Sequence, residues 1–110
     1  MRILMIVLMF LVPALMMHAA EQKATLKVAG NCNMCKKRIV KAAMSIDGVI
    51  EANWNKTTKV LRVEFDDTKA SVESITKAVL KAGHDVEDKK ADEDAYNALP
   101  ECCSYRDREH

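Results

Sequence analysis

Two pairs of cysteines are the side chains of this sequence best suited to chemistry. Cys32 and Cys35 form a C-x-x-C pair within "GNCNMC", and Cys102 and Cys103 are adjacent near the C-terminus. Cysteine sulfur binds thiophilic ions such as Cu(I) and Zn(II) in preference to Mg(II) or Ca(II). The same spacing also serves thiol–disulfide exchange. The spacing alone therefore leaves a metal site, a redox pair and a structural disulfide as alternatives.

The position of the C-x-x-C pair favours ionised sulfur. An alternating strand pattern ends at Gly30 and a helical pattern begins at Asn33, so we expect Cys35 in or beside the first helical turn. Free backbone N–H groups and the positive end of the helix dipole lie there, and both favour thiolate over thiol. Two thiolates do not complete a four-coordinate zinc site. They suffice for a low-coordinate ion such as Cu(I) or Hg(II) and leave room for an incoming partner thiolate.

Hydrophobic periodicity predicts the elements that must position this pair. In order, these are a strand at 24–30, a helix from Asn33 to Asp47-Gly48, a hairpin around Asn55–Thr58, a helix between the N-cap Ser71 and Gly83, and a short strand around Val86. The second helix has a predicted buried stripe of Val72, Ile75 and Val79. This order favours an α+β sandwich, in which a four-stranded antiparallel sheet carries two helices on one face.

These landmarks together resemble the heavy-metal-associated domain family. The matching pieces are "GNCNMC", Ile39 and Ala42, "DGV" at 47–49, "VEF" at 63–65 and "KAGHDV" at 81–86. The resemblance covers residues 24–88 and implies a ferredoxin-like βαββαβ sandwich in which Cys32 and Cys35 bind Cu(I) or another soft metal. The family includes copper chaperones, periplasmic mercury-binding proteins and domains of metal-pumping P-type ATPases. A P-type ATPase or another membrane transporter is therefore an expected partner.

Two positions depart from the pattern of the family. The family often has a methionine two residues before the first cysteine, and here that position is Gly30. The loop before the last strand often carries Tyr, Phe or Lys close to the metal, and here it carries His84. The His84 imidazole is a candidate third ligand, or a group that tunes the charge of the thiolates. The alternative is a surface histidine at a helix end.

The C-terminal tail brings the second cysteine pair within reach of the first. Residues 89–110 contain a charged connector, a segment "DAYNAL" that can form one or two helical turns, and the pair Cys102 and Cys103. An extended chain of ~16 residues spans up to ~50 Å, so the tail can fold back from Val86. Tyr96 and Leu99 are its best docking residues. Four sulfurs would make a closed metal site or two long-range disulfides, and the alternative is an unstructured tail with incidental cysteines.

Residues 1–20 have the layout of a secretory signal peptide, with Arg2, an apolar run and the small residues Ala19 and Ala20. The run is shorter than the ~20 residues that span a bilayer, and Pro13 interrupts it. We therefore expect cleavage, export to the periplasm or the medium, and membrane contact only through an uncleaved leader. Loss of Arg2 leaves equal numbers of basic and acidic residues, which argues against nucleic-acid binding by bulk charge.

The sequence therefore predicts a signal peptide at 1–20, a heavy-metal-associated domain at 21–88 and a cysteine-containing tail at 89–110. The expected function is to sequester or transfer a heavy-metal ion. Cu(I) is the preferred candidate for this ion, and Hg(II) and Zn(II) are the next candidates. The candidate ligands are Cys32, Cys35, His84, Cys102 and Cys103. No nucleophile–base arrangement or phosphate loop is present, so an enzyme is not expected. The alternative function is that of a thiol–disulfide redox or redox-sensing protein that uses the same cysteines.

Overall fold

The computed structural model describes residues 21–106, and the predicted leader lies outside this part of the chain. The elements are β1 (Glu21–Lys27), α1 (Asn33–Met44), β2 (Val49–Trp54), β3 (Val60–Asp66), α2 (Val72–Lys81), α3 (Glu93–Asn97) and a short 3₁₀ helix (Glu101–Cys103). Among the helices of residues 21–106, none has the length and apolar character needed to cross a membrane.

A three-stranded antiparallel sheet forms the centre of the fold, with β3 between β1 and β2. Leu61 of β3 lies opposite both Leu26 of β1 and Trp54 of β2. The turn between β2 and β3 is held by the Asn55 side chain, whose oxygen accepts hydrogen bonds from the backbone N–H groups of Thr57 (2.8 Å) and Thr58 (2.9 Å). This arrangement confirms the predicted hairpin.

The structure differs from the four-stranded prediction at Val86. This residue forms one antiparallel bridge with Val28, just beyond the end of β1, and another with Lys89. Glu87, directly after Val86, has a left-handed φ of 53°. This angle turns the chain back, so that Lys89 pairs with Val86. Within residues 21–106, the last predicted strand is therefore reduced to Val86, which bridges to Val28 beside the sheet.

The helices close one hydrophobic core with the sheet. Its buried members include Trp54, Leu61, Val63 and Phe65 of the sheet, Cys35, Ile39 and Ala43 of α1, and Ile75 and Val79 of α2. The prediction that Val72 joins this core is wrong, because Val72 is the first residue of α2 and remains 38% exposed at the edge of the core. Thr76 is buried on that helix instead, with 6% exposure.

Ser71 is the N-cap of α2, as the sequence predicts. Its hydroxyl accepts a hydrogen bond from the backbone N–H of Ser74 (3.0 Å), and the Ser74 hydroxyl accepts one from the Ser71 N–H (2.9 Å). This reciprocal pair satisfies donors that the first helical turn leaves free. It fixes where α2 begins and therefore which side chains reach the core.

The indole of Trp54 explains the glycine that precedes the C-x-x-C pair. A Cβ atom added to Gly30 would lie 2.9 Å from Cζ2 of Trp54 and 3.1 Å from Cβ of Cys35. The Trp54 side chain is fully buried, and its Nε1–H donates to the Val28 carbonyl at 3.0 Å. The indole therefore occupies the space where a larger side chain at position 30 would have to pack.

We expect Gly30→Ala to lower the free energy of unfolding by ~1–3 kcal/mol, because it overpacks a fixed contact between Gly30 and Trp54. Denaturant unfolding of the reduced protein measures this cost. The control is the same substitution in a Trp54→Phe background, where the smaller ring leaves room for the added methyl group. An equal cost in both backgrounds would contradict the steric explanation.

Candidate metal centre

The start of α1 positions the first two sulfurs. Cys32 is the N-cap of this helix, and its Sγ accepts a hydrogen bond from the backbone N–H of Cys35 at 3.5 Å. The Sγ atoms of Cys32 and Cys35 are 3.4 Å apart. Cys32 is half-buried and Cys35 is buried. The predicted placement of the pair at the strand-to-helix junction is therefore confirmed.

The tail brings the other two sulfurs to the same place. The Sγ of Cys103 lies 3.7 Å from that of Cys32 and 3.9 Å from that of Cys102. The Sγ atoms of Cys32, Cys102 and Cys103 all lie within 4.8 Å of one another. Cys103 is buried and Cys102 is exposed, and all four cysteines are free thiols. The structure thus places the four cysteines that were predicted as candidate ligands in one cluster.

The thiols of this cluster differ in acidity. Burial opposes ionisation of Cys32, but hydrogen bonds with the Cys35 N–H and with the thiols of Cys35 and Cys103 outweigh it and lower the pKa of Cys32. Burial raises the pKa of Cys35 and the pKa of Cys103. Cys32 therefore carries a negative charge more readily than Cys35 or Cys103, and its neighbours stabilise that charge.

His84 lies in the interior and not on the surface, so the surface alternative is wrong. Its ring is fully buried, and Nδ1–H donates to the Ala29 carbonyl at 2.7 Å. Burial lowers the pKa of His84 and keeps the imidazole neutral. Nε2 has no hydrogen-bond partner among the described residues. The cluster of ligand atoms within 4.8 Å of one another contains sulfurs of Cys32, Cys102 and Cys103 but not His84.

Tyr105 and Arg106 hold the tail against the domain. The Tyr105 hydroxyl donates to the Gly83 carbonyl at 2.6 Å and accepts from the Asp85 N–H at 2.9 Å. The Arg106 guanidinium lies 2.7 Å from a carboxylate oxygen of Asp85 and packs over the Tyr96 ring at 4.1 Å. We call Asp85, Tyr105 and Arg106 the tail latch. It joins the loop after α2 to the segment that follows the second cysteine pair by one residue.

The family can now be assigned by comparison with known proteins. A profile of the heavy-metal-associated domain matches residues 25–85, which is more than half of the chain. The chain belongs to the heavy-metal-associated domain family. The resemblance predicted from "GNCNMC" and the later landmarks is thereby confirmed.

Similar proteins include mercuric transport proteins and a metallochaperone. A mercuric transport protein periplasmic component from Shewanella putrefaciens is 35% identical over 85 residues, covering 76% of this chain and 93% of that protein. Oxidized MerP from Ralstonia metallidurans CH34 is 36% identical with a TM-score of 0.59, covering 62% of this chain and 96% of that chain. The CopZ metallochaperone is 33% identical with a TM-score of 0.58, covering 60% of this chain and 100% of that chain.

The matched heavy-metal-associated domain ends at residue 85, before the tail begins. Tyr96 and Leu99 are buried, which confirms them as residues that dock the tail. Sequence reasoning missed the tail latch. The signal that could have indicated it is the "YR" dipeptide one residue after the cysteine pair, together with an acidic residue in the loop that the family places near the metal.

Proposed function

We propose that this member of the heavy-metal-associated domain family binds a thiophilic ion as its cargo through Cys32 and Cys35. The observation that carries the proposal is the 3.4 Å separation of their Sγ atoms at the N-terminus of α1. The lowered pKa of Cys32 supplies a thiolate to capture the ion first. Cys35 loses its proton when its own metal–sulfur bond forms, because a bound cation favours the thiolate.

The protein carries or sequesters this ion outside the cytoplasm and catalyses no reaction. The predicted leader supports export, and the Shewanella putrefaciens relative, named as a periplasmic component, matches over 93% of its length. A membrane transporter is the expected acceptor, since an acceptor thiolate can attack an ion held by few ligands. This assignment makes the chain a metal carrier and leaves the redox function as the alternative.

Cu(I) and Hg(II) are the two candidate cargoes, since both prefer thiolate to oxygen ligands. The chemistry of the two thiolates suits either ion, the resemblance to copper chaperones favours Cu(I), and the mercuric relatives support Hg(II). Competition of the reduced protein against chelators of known affinity for each ion distinguishes them. For each ion, the affinity of the protein is compared with that of a small thiol. The cargo is the ion for which the protein exceeds the small thiol by the larger factor.

The same titration tests the proposal itself. We expect one ion per chain, and a loss of affinity of at least about a hundredfold in Cys32→Ser/Cys35→Ser, since each tenfold step corresponds to ~1.4 kcal/mol. Met34→Leu is the matched control, because Met34 lies inside the C-x-x-C loop but its side chain is exposed. Weak binding of both ions by the unaltered protein would overturn the proposal and favour the redox alternative.

A further inference from the structure

The four sulfurs form two triangles that share one edge. Cys32 and Cys103 lie 3.7 Å apart and belong to both triangles. The inner triangle adds Cys35, whose Sγ lies 3.4 Å from that of Cys32. The outer triangle adds Cys102, which is 3.9 Å from Cys103 and within 4.8 Å of Cys32.

These separations match an ion with three sulfur ligands better than an ion with two. With metal–sulfur bonds of ~2.3 Å, a planar three-coordinate ion holds its sulfurs about 4 Å apart, whereas a linear two-coordinate ion holds them about 4.6 Å apart. The separation of 3.4 Å between Cys32 and Cys35 would have to open widely for linear binding. The Sγ separations of 3.4 Å (Cys35–Cys32), 3.7 Å (Cys32–Cys103) and 3.9 Å (Cys103–Cys102) need smaller adjustments to surround one ion in a plane.

The two triangles differ in access to solvent. Cys102 is exposed and defines the outer triangle, while Cys35 is buried and defines the inner one. Of the two shared residues, Cys32 is half-buried and Cys103 is buried. An ion arriving from solvent therefore meets Cys102 before it can reach Cys35.

We propose that the tail turns the family's two-cysteine site into a two-step relay, in which Cys32, Cys102 and Cys103 capture the ion and Cys32, Cys35 and Cys103 retain it. This inference rests on the proposed function, because it concerns the same cargo. It goes beyond that function by assigning Cys103 as a third ligand and Cys102 as the entry ligand.

The relay step exchanges one ligand for another. The bond from the ion to Cys102 Sγ breaks as the bond to Cys35 Sγ forms, while Cys32 and Cys103 hold the ion throughout. The proton of the Cys35 thiol passes to the departing Cys102 sulfur. The charge of the cluster and the oxidation state of the ion are unchanged, so the step requires no other reactant.

The tail latch keeps Cys103 in place for this step. Tyr105 and Arg106, separated from the cysteine pair only by Ser104, hold it to Gly83 and Asp85. The Cys103 N–H also donates to the Pro100 carbonyl at 2.8 Å, within the turn that carries the pair. Because this segment is ordered before an ion arrives, binding of the ion carries no entropic cost for ordering the segment.

The number of sulfur neighbours tests the third ligand. The full chain is reduced, loaded with one equivalent of Hg(II) without oxygen, and studied by X-ray absorption. We expect three sulfur neighbours in the unaltered protein and two in Cys103→Ser. Two neighbours in the unaltered protein would overturn the relay and leave the proposed function intact. An absence of bound ion would overturn both. The first measurement needs no variant and does not depend on whether Cys103→Ser folds.

The rate of uptake tests the entry ligand. We expect Cys102→Ser to keep three sulfur neighbours but to take Hg(II) from a thiol-buffered donor about tenfold more slowly, because exchange depends on an accessible thiol. Ser104→Ala, next to the pair, should take it up at the unaltered rate. Cys35→Ser should keep three sulfur neighbours through the outer triangle and release the ion faster. Unchanged uptake in Cys102→Ser, or two neighbours in Cys35→Ser, would overturn the relay.

Discussion

Replacing Trp54 by alanine is expected to lower the free energy of unfolding by ~3–5 kcal/mol, the range for removing a buried aromatic side chain. The indole is fully buried and lies against Gly30, so its removal leaves a cavity beneath the loop that carries the cysteines. The substitution also removes the donor to the Val28 carbonyl. Urea unfolding of the reduced protein without metal measures this loss.

Two further variants separate the contributions of Trp54. Trp54→Phe retains an aromatic ring but leaves the Val28 carbonyl without its donor, and should cost ~1–3 kcal/mol. Ile50→Ala, on the same strand, is the matched control, because Ile50 is 49% exposed and should change stability by no more than ~0.5 kcal/mol. A cost for Trp54→Ala near that of Ile50→Ala would contradict the assigned role of the indole in the core.

The elements predicted well are those specified by residues close in sequence. The hairpin depends on alternating apolar residues and on the Asn55 turn, and α2 begins at its Ser71 cap, so both could be predicted from local patterns. The placement of Cys32 and Cys35 at the start of α1 follows in the same way from the change in hydrophobic period at Asn33. These features need no knowledge of how distant segments pack.

The features that could not be predicted depend on distant contacts or on one backbone angle. The fourth strand shortens to a bridge because Glu87 takes a left-handed φ, which no hydrophobic pattern encodes. His84 lies just after the C-terminal end of α2, and a polar residue at such a position is expected to be exposed. Tyr105 stacks on its ring from 21 residues further along the chain, with ring centroids 5.4 Å apart. The docked tail creates that burial, and hydrophobic periodicity gives no signal for it.

The ion pair of the tail latch holds a charged group that solvent barely reaches. The Asp85 side chain is 11% exposed and that of Arg106 is 23% exposed, with the nearest atoms 2.7 Å apart. Burial opposes ionisation of Asp85, but hydrogen bonds from Arg106 and from the Ala91 N–H outweigh it and lower the pKa of Asp85. The carboxylate is therefore charged at neutral pH, and without Arg106 it would lose its main partner. Losing a hydrogen bond to a charged group lowers stability by ~1.5–3 kcal/mol, here the stability of the docked tail.

We therefore expect Arg106→Met to release the tail and expose the Cys103 thiol. Because Cys103 is buried, its reaction with an alkylating reagent requires local opening, and a loss of ~1.4 kcal/mol raises the open fraction about tenfold. Mass spectrometry of the Cys103 peptide from the reduced, metal-free protein measures the rate, which should rise by at least about tenfold. Lys90→Met is the matched control, since Lys90 approaches the same carboxylate only to 3.7 Å and is 78% exposed. Equal alkylation rates in Arg106→Met and the unaltered protein would contradict this prediction. Removal of the ion pair would then leave the opening equilibrium of the tail unchanged, which would mean that other contacts hold the tail.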